Sequence, residues 1–114
     1  MPNQNQSIET TFSALSDPTR RAVVQTLSQG PASVSQLAGP FAMALPSFTQ
    51  HLGVLEHAGL IVSRREGRTR VCSLNPEAMQ AAEDWLASQR REWEQRFDRL
   101  EAHLANVKKE TPNE

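Results

Sequence analysis

Apolar residues recur at helical spacing along most of this chain, and the breaks in that rhythm are marked by proline and glycine. Ile8, Phe12 and Leu15 fall at i, i+4 and i+7, which predicts a short amphipathic helix. Asp17-Pro18 reads as an N-cap followed by proline at the first helical position. Val23, Val24 and Leu27 give the next helix its apolar stripe, and Gly30-Pro31 stops it. Ser33 to Gln36 has the S-x-x-Q form of a capping box. Val34, Leu37 and Ala38 supply a short buried face, which Gly39-Pro40 ends after little more than one turn. Residues 41–45 form a tight connection. Pro46 opens another helix, with Phe48, Leu52 and Leu55 along one side and Gly59 just past its end. A short helix, a turn and a second helix with polar early positions form a helix-turn-helix pattern.

The period then changes. Ile61 to Arg65 and Thr69 to Leu74 are rich in β-branched residues around Glu66-Gly67, which predicts a β-hairpin with those two residues as its loop. Asn75-Pro76 caps a final long helix. Leu86, Trp93, Phe97, Leu100, Leu104 and Val107 follow heptad spacing. A helix from 76 to about 107 would be roughly 48 Å long. It would overhang a small domain, so its apolar seam needs a partner. The expected organisation is a disordered tail over 1–7, one domain over 8–107 and a frayed tail over 108–114.

Composition narrows the class. At 114 residues the chain fits one domain, and 38% apolar with 22% charged residues suits a helical protein with exposed faces. The single cysteine, Cys72, cannot form an intrachain disulfide and suggests a reducing, cytoplasmic setting. No hydrophobic run resembles a secretory signal or the ~20 residues of a membrane span, so a soluble chain with no membrane partner is expected. The net charge of −1 hides an asymmetry: residues 1–75 hold six basic and four acidic side chains, residues 76–114 six and nine. Four of the first six are Arg64, Arg65, Arg68 and Arg70. Screening confines charge effects to ~8 Å, so this cluster matters more than the net charge.

Candidate chemistry follows from these placements. With Phe48, Leu52 and Leu55 turned inward, Gln50, Pro46, Gly53 and His57 face outward, flanked by Ser47 and Thr49. A recognition helix presents its N-terminal residues to base edges in the major groove. The Gln50 amide can pair bidentately with adenine, and the Ser47 and Thr49 hydroxyls can reach a base or a phosphate. Gly53 permits close approach. His51 lies on the shoulder, where it either donates to a phosphate or packs. Taken alone, Gln50 reads equally well as a solvated helix residue. The hairpin arginines tip the balance, because a solubilising edge usually mixes signs and here only Glu66 is acidic. Alternation would put Arg68 and Arg70 on one face, able to span phosphates or enter a minor groove.

Arg20 and Arg21 read as helix-surface pairs. Trp85 and Trp93 read as dimer core rather than a ligand-stacking box, and Cys72 as a packed hydrophobe. No nucleophile–base set, phosphate-binding glycine loop or paired histidines are present, so neither an enzyme nor a metal or other cofactor is expected.

The stretches ALSDPTRRAVVQTLSQGPASVSQLAGPF and LPSFTQHLGVLEHAGLIVSRREGRTRVCSLNP resemble the arsenic-repressor (ArsR/SmtB) family of bacterial regulators, over roughly residues 8 to 100. DPTRR, HLGVLEHAGLI and REGRTR together carry the likeness. The resemblance implies a mainly α fold with a small β-hairpin wing, a winged helix-turn-helix that dimerises through its first and last helices. It implies a DNA-binding repressor acting as a homodimer on an inverted-repeat operator of double-stranded DNA in the cytoplasm, at the nucleoid, and released by an inducer. DNA contacts then fall to Pro46, Ser47, Thr49, Gln50, His51, Arg64, Arg65, Arg68 and Arg70. The dimer interface falls to Ile8, Phe12, Trp85, Trp93, Phe97, Leu100 and Leu104.

Departures from the family are informative. Thiolate metal sensors carry cysteines where this chain has Val34-Ser35-Gln36-Leu37-Ala38. Others bind zinc on the last helix, which here offers Glu83, Asp84, Glu92 and only His103. A dithiol switch needs a second cysteine. A non-metal subgroup is therefore expected, with any small-molecule inducer unidentified. Ala44 also stands where a serine N-cap is common. The competing class is a winged helix used as a protein-interaction module without DNA binding, which the acidic C-terminal part and the exposed seam would suit.

Overall fold

Hydrogen-bonding side chains at the helix ends set the boundaries of most elements. The computed structural model describes the backbone of residues 4–110 and side chains of residues 8–109. Helix α1 (Gln4–Ala14) ends where two arginines take its last carbonyls. Arg20 donates to the oxygens of Ala14 and Ser13 at 2.6 and 3.3 Å, and Arg21 to that of Leu15 at 2.9 Å. A helix C-terminus leaves such carbonyls without partners and carries partial negative charge, so guanidinium groups fit both needs. Helix α2 (Pro18–Leu27) starts as expected: Asp17 accepts the Arg20 backbone N–H at 3.0 Å, and proline follows the cap. Strand β1 (Ala32–Ser33) leads into α3 (Val34–Ala38). The capping box is complete, with Gln36 N–H donated to Ser33 Oγ at 3.1 Å and Ser33 N–H to Gln36 Oε1 at 2.9 Å.

Helix α4 (Leu45–His57) has Ala44 at its N-cap and no side-chain cap bond. Its other end closes with a Schellman motif. The Gly59 N–H donates to the Glu56 carbonyl at 2.9 Å and the Leu60 N–H to the Leu55 carbonyl at 3.0 Å. Gly59 holds φ at +77°, the left-handed region that favours glycine. Strands β2 (Ile61–Glu66) and β3 (Thr69–Leu74) follow. Asn75 closes the hairpin base: its N–H donates to the Leu60 carbonyl at 2.8 Å and its amide to the Gly59 carbonyl at 2.9 Å. Its Oδ1 accepts the Glu77 N–H at 3.2 Å and so caps α5 (Pro76–Glu110). The helical backbone from Gln4 and to Glu110 overlaps the sequence-expected tails; residues 1–3 and 111–114 lie outside the described residues.

The antiparallel sheet has the order β1-β3-β2, pairing Ala32 with Cys72 and Ile61 with Leu74. Strand β1 has two residues, too few for any periodicity to announce it. The hairpin turn falls one residue later than the sequence suggests. Glu66 pairs with Thr69, so the loop is Gly67-Arg68 rather than Glu66-Gly67. The reason is steric. The first position of this turn needs positive φ, and Gly67 supplies +66° where Glu66 would be strained. Arg68 therefore sits at the tip, and the expectation that it shares a strand face with Arg70 is corrected.

The chain divides into two units, one ending at Ala82 and the other beginning at Glu83. The core of the first gathers Val23 and Leu27 of α2, Leu37 of α3, Phe48, Leu52 and Leu55 of α4, then Leu60, Ile61 and Cys72. In the second unit, α5 carries exposed Leu86, Trp93, Phe97, Leu100, Leu104 and Val107. Trp93 and Phe97 meet edge to face with ring centroids 5.1 Å apart.

Leu52 is fully sealed from solvent. Leu52→Ala should cost about 2–5 kcal/mol of unfolding free energy, the sum of lost transfer energy and an unfilled cavity. Denaturant titration with an unchanged m-value checks this.

Candidate nucleic-acid interface

Burial of Phe48, Leu52 and Leu55 fixes the rotation of α4 and turns a polar strip outward. Pro46, Ser47 and Gln50 are exposed, while Thr49 and His51 are half-buried. The Thr49 hydroxyl donates back to the Pro46 carbonyl at 2.9 Å, which occupies its proton but leaves it able to accept. Ser47 Oγ and the Gln50 amide make no such internal bond among the described residues. Val54 was not singled out by sequence reasoning, yet it is exposed. It lies four residues beyond Gln50 and seven beyond Ser47, hence on the same side of α4. That spacing is the signal in the sequence that places it there.

The wing arginines divide into two kinds. Arg70 donates through Nη2 to Glu56 of α4 and through Nε to Ser63 Oγ at 3.1 Å, and Ser63 Oγ donates to Glu56 Oε1 at 2.7 Å. One carboxylate on the helix thus holds both strands of the hairpin. Arg64 pairs with its strand neighbour Glu66 at 2.9 Å. Arg65 and Arg68 have no hydrogen bond or ion pair among the described residues. The face of the sheet away from Glu56 forms an open depression of about 460 Å³, lined by Ser33, Gln36, Arg64, Glu66, Thr69 and Val71.

At the other flank of α4, His51 meets α2. Its Nδ1 lies 3.3 Å from Arg20 Nη1 and 3.7 Å from Asp17 Oδ2. The Asp17 carboxyl is held below its ordinary value of 3.8, first by the Arg20 backbone N–H, against a smaller opposing effect of burial, with the nearby His51 and Arg20 charges adding to the lowering. Burial pushes the Cys72 thiol up, which suits the packed hydrophobe that the sequence suggests.

Of the sequence-expected interface residues, Ile8 is buried within the single chain and Phe12 is half-buried. Trp85, Trp93, Phe97, Leu100 and Leu104 are exposed on α5. Among the described residues, no group of three or more His, Cys, Asp or Glu is gathered closely enough to hold a metal ion, and no helix is long and apolar enough to cross a membrane.

Two successive helices, α3 and α4, backed by a packed core and followed by a β-hairpin define a winged helix-turn-helix. The helix-turn-helix domain family matches residues 15–64. The chain is 41% identical over 70 residues to the HTH-type transcriptional regulator Rv2034 of Mycobacterium tuberculosis, covering 61% of this chain and 65% of that one. It is 35% identical over 75 residues to the transcriptional repressor SdpR of Bacillus subtilis, covering 66% of this chain and 83% of that one. The crystal structure of an ArsR family transcriptional regulator superposes with a TM-score of 0.76 at 49% identity, covering 82% of this chain and 97% of that one. The chain belongs to the ArsR family of winged helix-turn-helix transcriptional regulators, and its relatives are regulators rather than enzymes.

The lowered Asp17 pKa carries a sign. Its contribution to stability is complete above the unfolded value and is lost as pH falls through the lower folded one. Wild-type protein should therefore lose stability below about pH 4 more steeply than Asp17→Asn, in which asparagine keeps the cap. Thermal melts across an acid series check the difference in slope.

Proposed function

We propose that this protein is a transcriptional repressor that binds double-stranded DNA as a homodimer on an inverted-repeat operator and blocks transcription by occupying it. The observation that carries the reading is the pairing of a core-backed helix, whose outward residues are Pro46, Ser47 and Gln50, with a wing that holds two uncommitted guanidiniums. Helix α4 enters the major groove with its N-terminal half. Gln50 reads a base edge, Ser47 and Thr49 accept or donate beside it, and Val54 offers an apolar contact to a thymine methyl. Pro46 sits at the helix entry against the backbone. His51 donates to a phosphate. Arg65 and Arg68 hold phosphates along the wing, and Arg64 joins them by exchanging its exposed Glu66 partner, an exchange that costs little at the surface. Arg70 acts as a strut: its bond to Glu56 sets the angle of the wing.

The exposed apolar side of α5 supports the homodimer, since a stripe of aromatic and aliphatic side chains open to solvent is costly in water. Two copies related by a two-fold axis would present two recognition helices to the two halves of an inverted repeat. The same stripe would also serve a winged helix used only as a protein-interaction module. That reading predicts no salt-dependent binding to duplex DNA.

Base readers and phosphate holders fail differently. Gln50→Ala should relax preference at one operator position at a cost of roughly 1–3 kcal/mol, leaving other positions as they were. Arg68→Ala should weaken binding to all sequences alike and lower the slope of log K against log salt by about 1. Titrations of the protein's own upstream DNA and a scrambled duplex, across a salt series with chelator present, separate the two; equal effects of both variants on every sequence would remove these roles.

A further inference from the structure

Two groups compete for one atom at the junction of α2 and α4. His51 Nδ1 faces both the Arg20 guanidinium at 3.3 Å and the Asp17 carboxylate at 3.7 Å. Arginine only donates and a carboxylate only accepts, so the two demand opposite protonation of Nδ1. Arg20 stands within hydrogen-bond distance and Asp17 beyond it. Arg20 is also held in place: its Nε and Nη2 donate to the Ala14 and Ser13 carbonyls, and its backbone N–H to Asp17 itself. Asp17 has that N–H to satisfy its Oδ2, which lessens its claim on the imidazole. A flipped ring would set a C–H against both groups and satisfy neither.

We propose that Arg20 is a positioning residue that fixes the His51 tautomer. By donating to Nδ1 it keeps the neutral proton on Nε2, which the imidazole directs away from α2, and His51 so offers DNA an oriented N–H donor from the shoulder of α4. The His51 side chain is 24% exposed, so part of it is open to solvent. The donor is neutral, so it orients the helix on the backbone without releasing a counterion. The DNA half of this inference rests on the binding function proposed above; the tautomer half does not. Removing Arg20 leaves Asp17 as the nearest polar partner, and the proton then moves to Nδ1, where it points away from the phosphate.

The test has one arm without DNA and one with it. Two-bond 15N–1H correlation of the imidazole in the free, full-length protein near pH 8, where histidine is ordinarily neutral, reads which nitrogen carries the proton. Wild type should show Nε2–H, Arg20→Met should shift toward Nδ1–H, and Arg20→Met with Asp17→Asn should return to Nε2–H. Simple loss of structure would not produce that reversal. Should Arg20→Met fail to fold, two substitutions at His51 carry the test, because a glutamine amide approximates Nε2 and an asparagine amide Nδ1. His51→Gln should keep duplex affinity near wild type, and His51→Asn should lose about tenfold with an unchanged salt slope. Nδ1–H in the wild type, or a tautomer indifferent to Arg20, overturns the proposal whatever the DNA result. Nε2–H with affinity untouched by His51→Asn overturns the phosphate role of His51. No binding of wild type to any duplex overturns the DNA function while the tautomer result stands.

Discussion

Everything outward in this protein depends on three side chains that solvent does not reach. Phe48, Leu52 and Leu55 are each fully buried on one side of α4. Each is worth about 1.5–3 kcal/mol of burial, and a rotation of the helix by one residue would expose them together. That cost selects one rotation, and the rotation alone decides that Ser47, Gln50 and Val54 look away from the core. The outward side of α4 is mainly polar because of what lies behind it. The Schellman turn at Gly59 adds to this by ending the helix where Leu60 can drop into the same core, so the wing starts from a fixed point.

The wing shows how little of a charge cluster is free to bind. Four arginines read from sequence as four equivalent cations, and the folded chain gives them different employment. Glu56 draws Arg70 inward, with Ser63 sharing the contact, and this pins a two-stranded ribbon that would be marginal alone. Arg64 is matched by Glu66 at the exposed edge. Only Arg65 and the turn residue Arg68 remain uncommitted among the described residues. A count of basic residues therefore overstates how many guanidiniums the wing leaves unpaired.

Local signals in the sequence were sufficient for most of the fold. The Asp17 cap, the Ser33–Gln36 capping box, Gly59 past the end of α4 and the Asn75-Pro76 start of α5 each involve neighbours within a few residues, and each stands where the pattern puts it. The hairpin loop lies one residue beyond the Glu66-Gly67 pair that the sequence suggests, because dipeptide composition does not say which position needs positive φ. Strand β1 has two residues whose only reason to be a strand is β3, far along the chain. The candidate site was half legible. Helical spacing placed Gln50 and Ser47 outward, but the partners of Arg20 and Arg70 are distant in sequence, at His51 and Glu56. Arg20 and Arg21 read as surface residues and instead close the end of α1.

Those distant contacts change what α4 is. Its inner side is set by the core, its C-terminal half is tied through Glu56 to the wing, and its middle is tied through His51 to α2 and, by the same guanidinium, to the end of α1. In the DNA-binding role proposed above, a helix held on three sides would have little freedom left to lose, and less ordering cost would leave more of each contact as affinity. The start of the helix lacks this support. Ala44 supplies no side-chain cap, and the first turn closes only on its carbonyl, which accepts the Ser47 and Phe48 N–H groups, each at 3.1 Å. Pro46 has no N–H and fixes its own φ, so this entry is stiffened by proline rather than by a capping side chain.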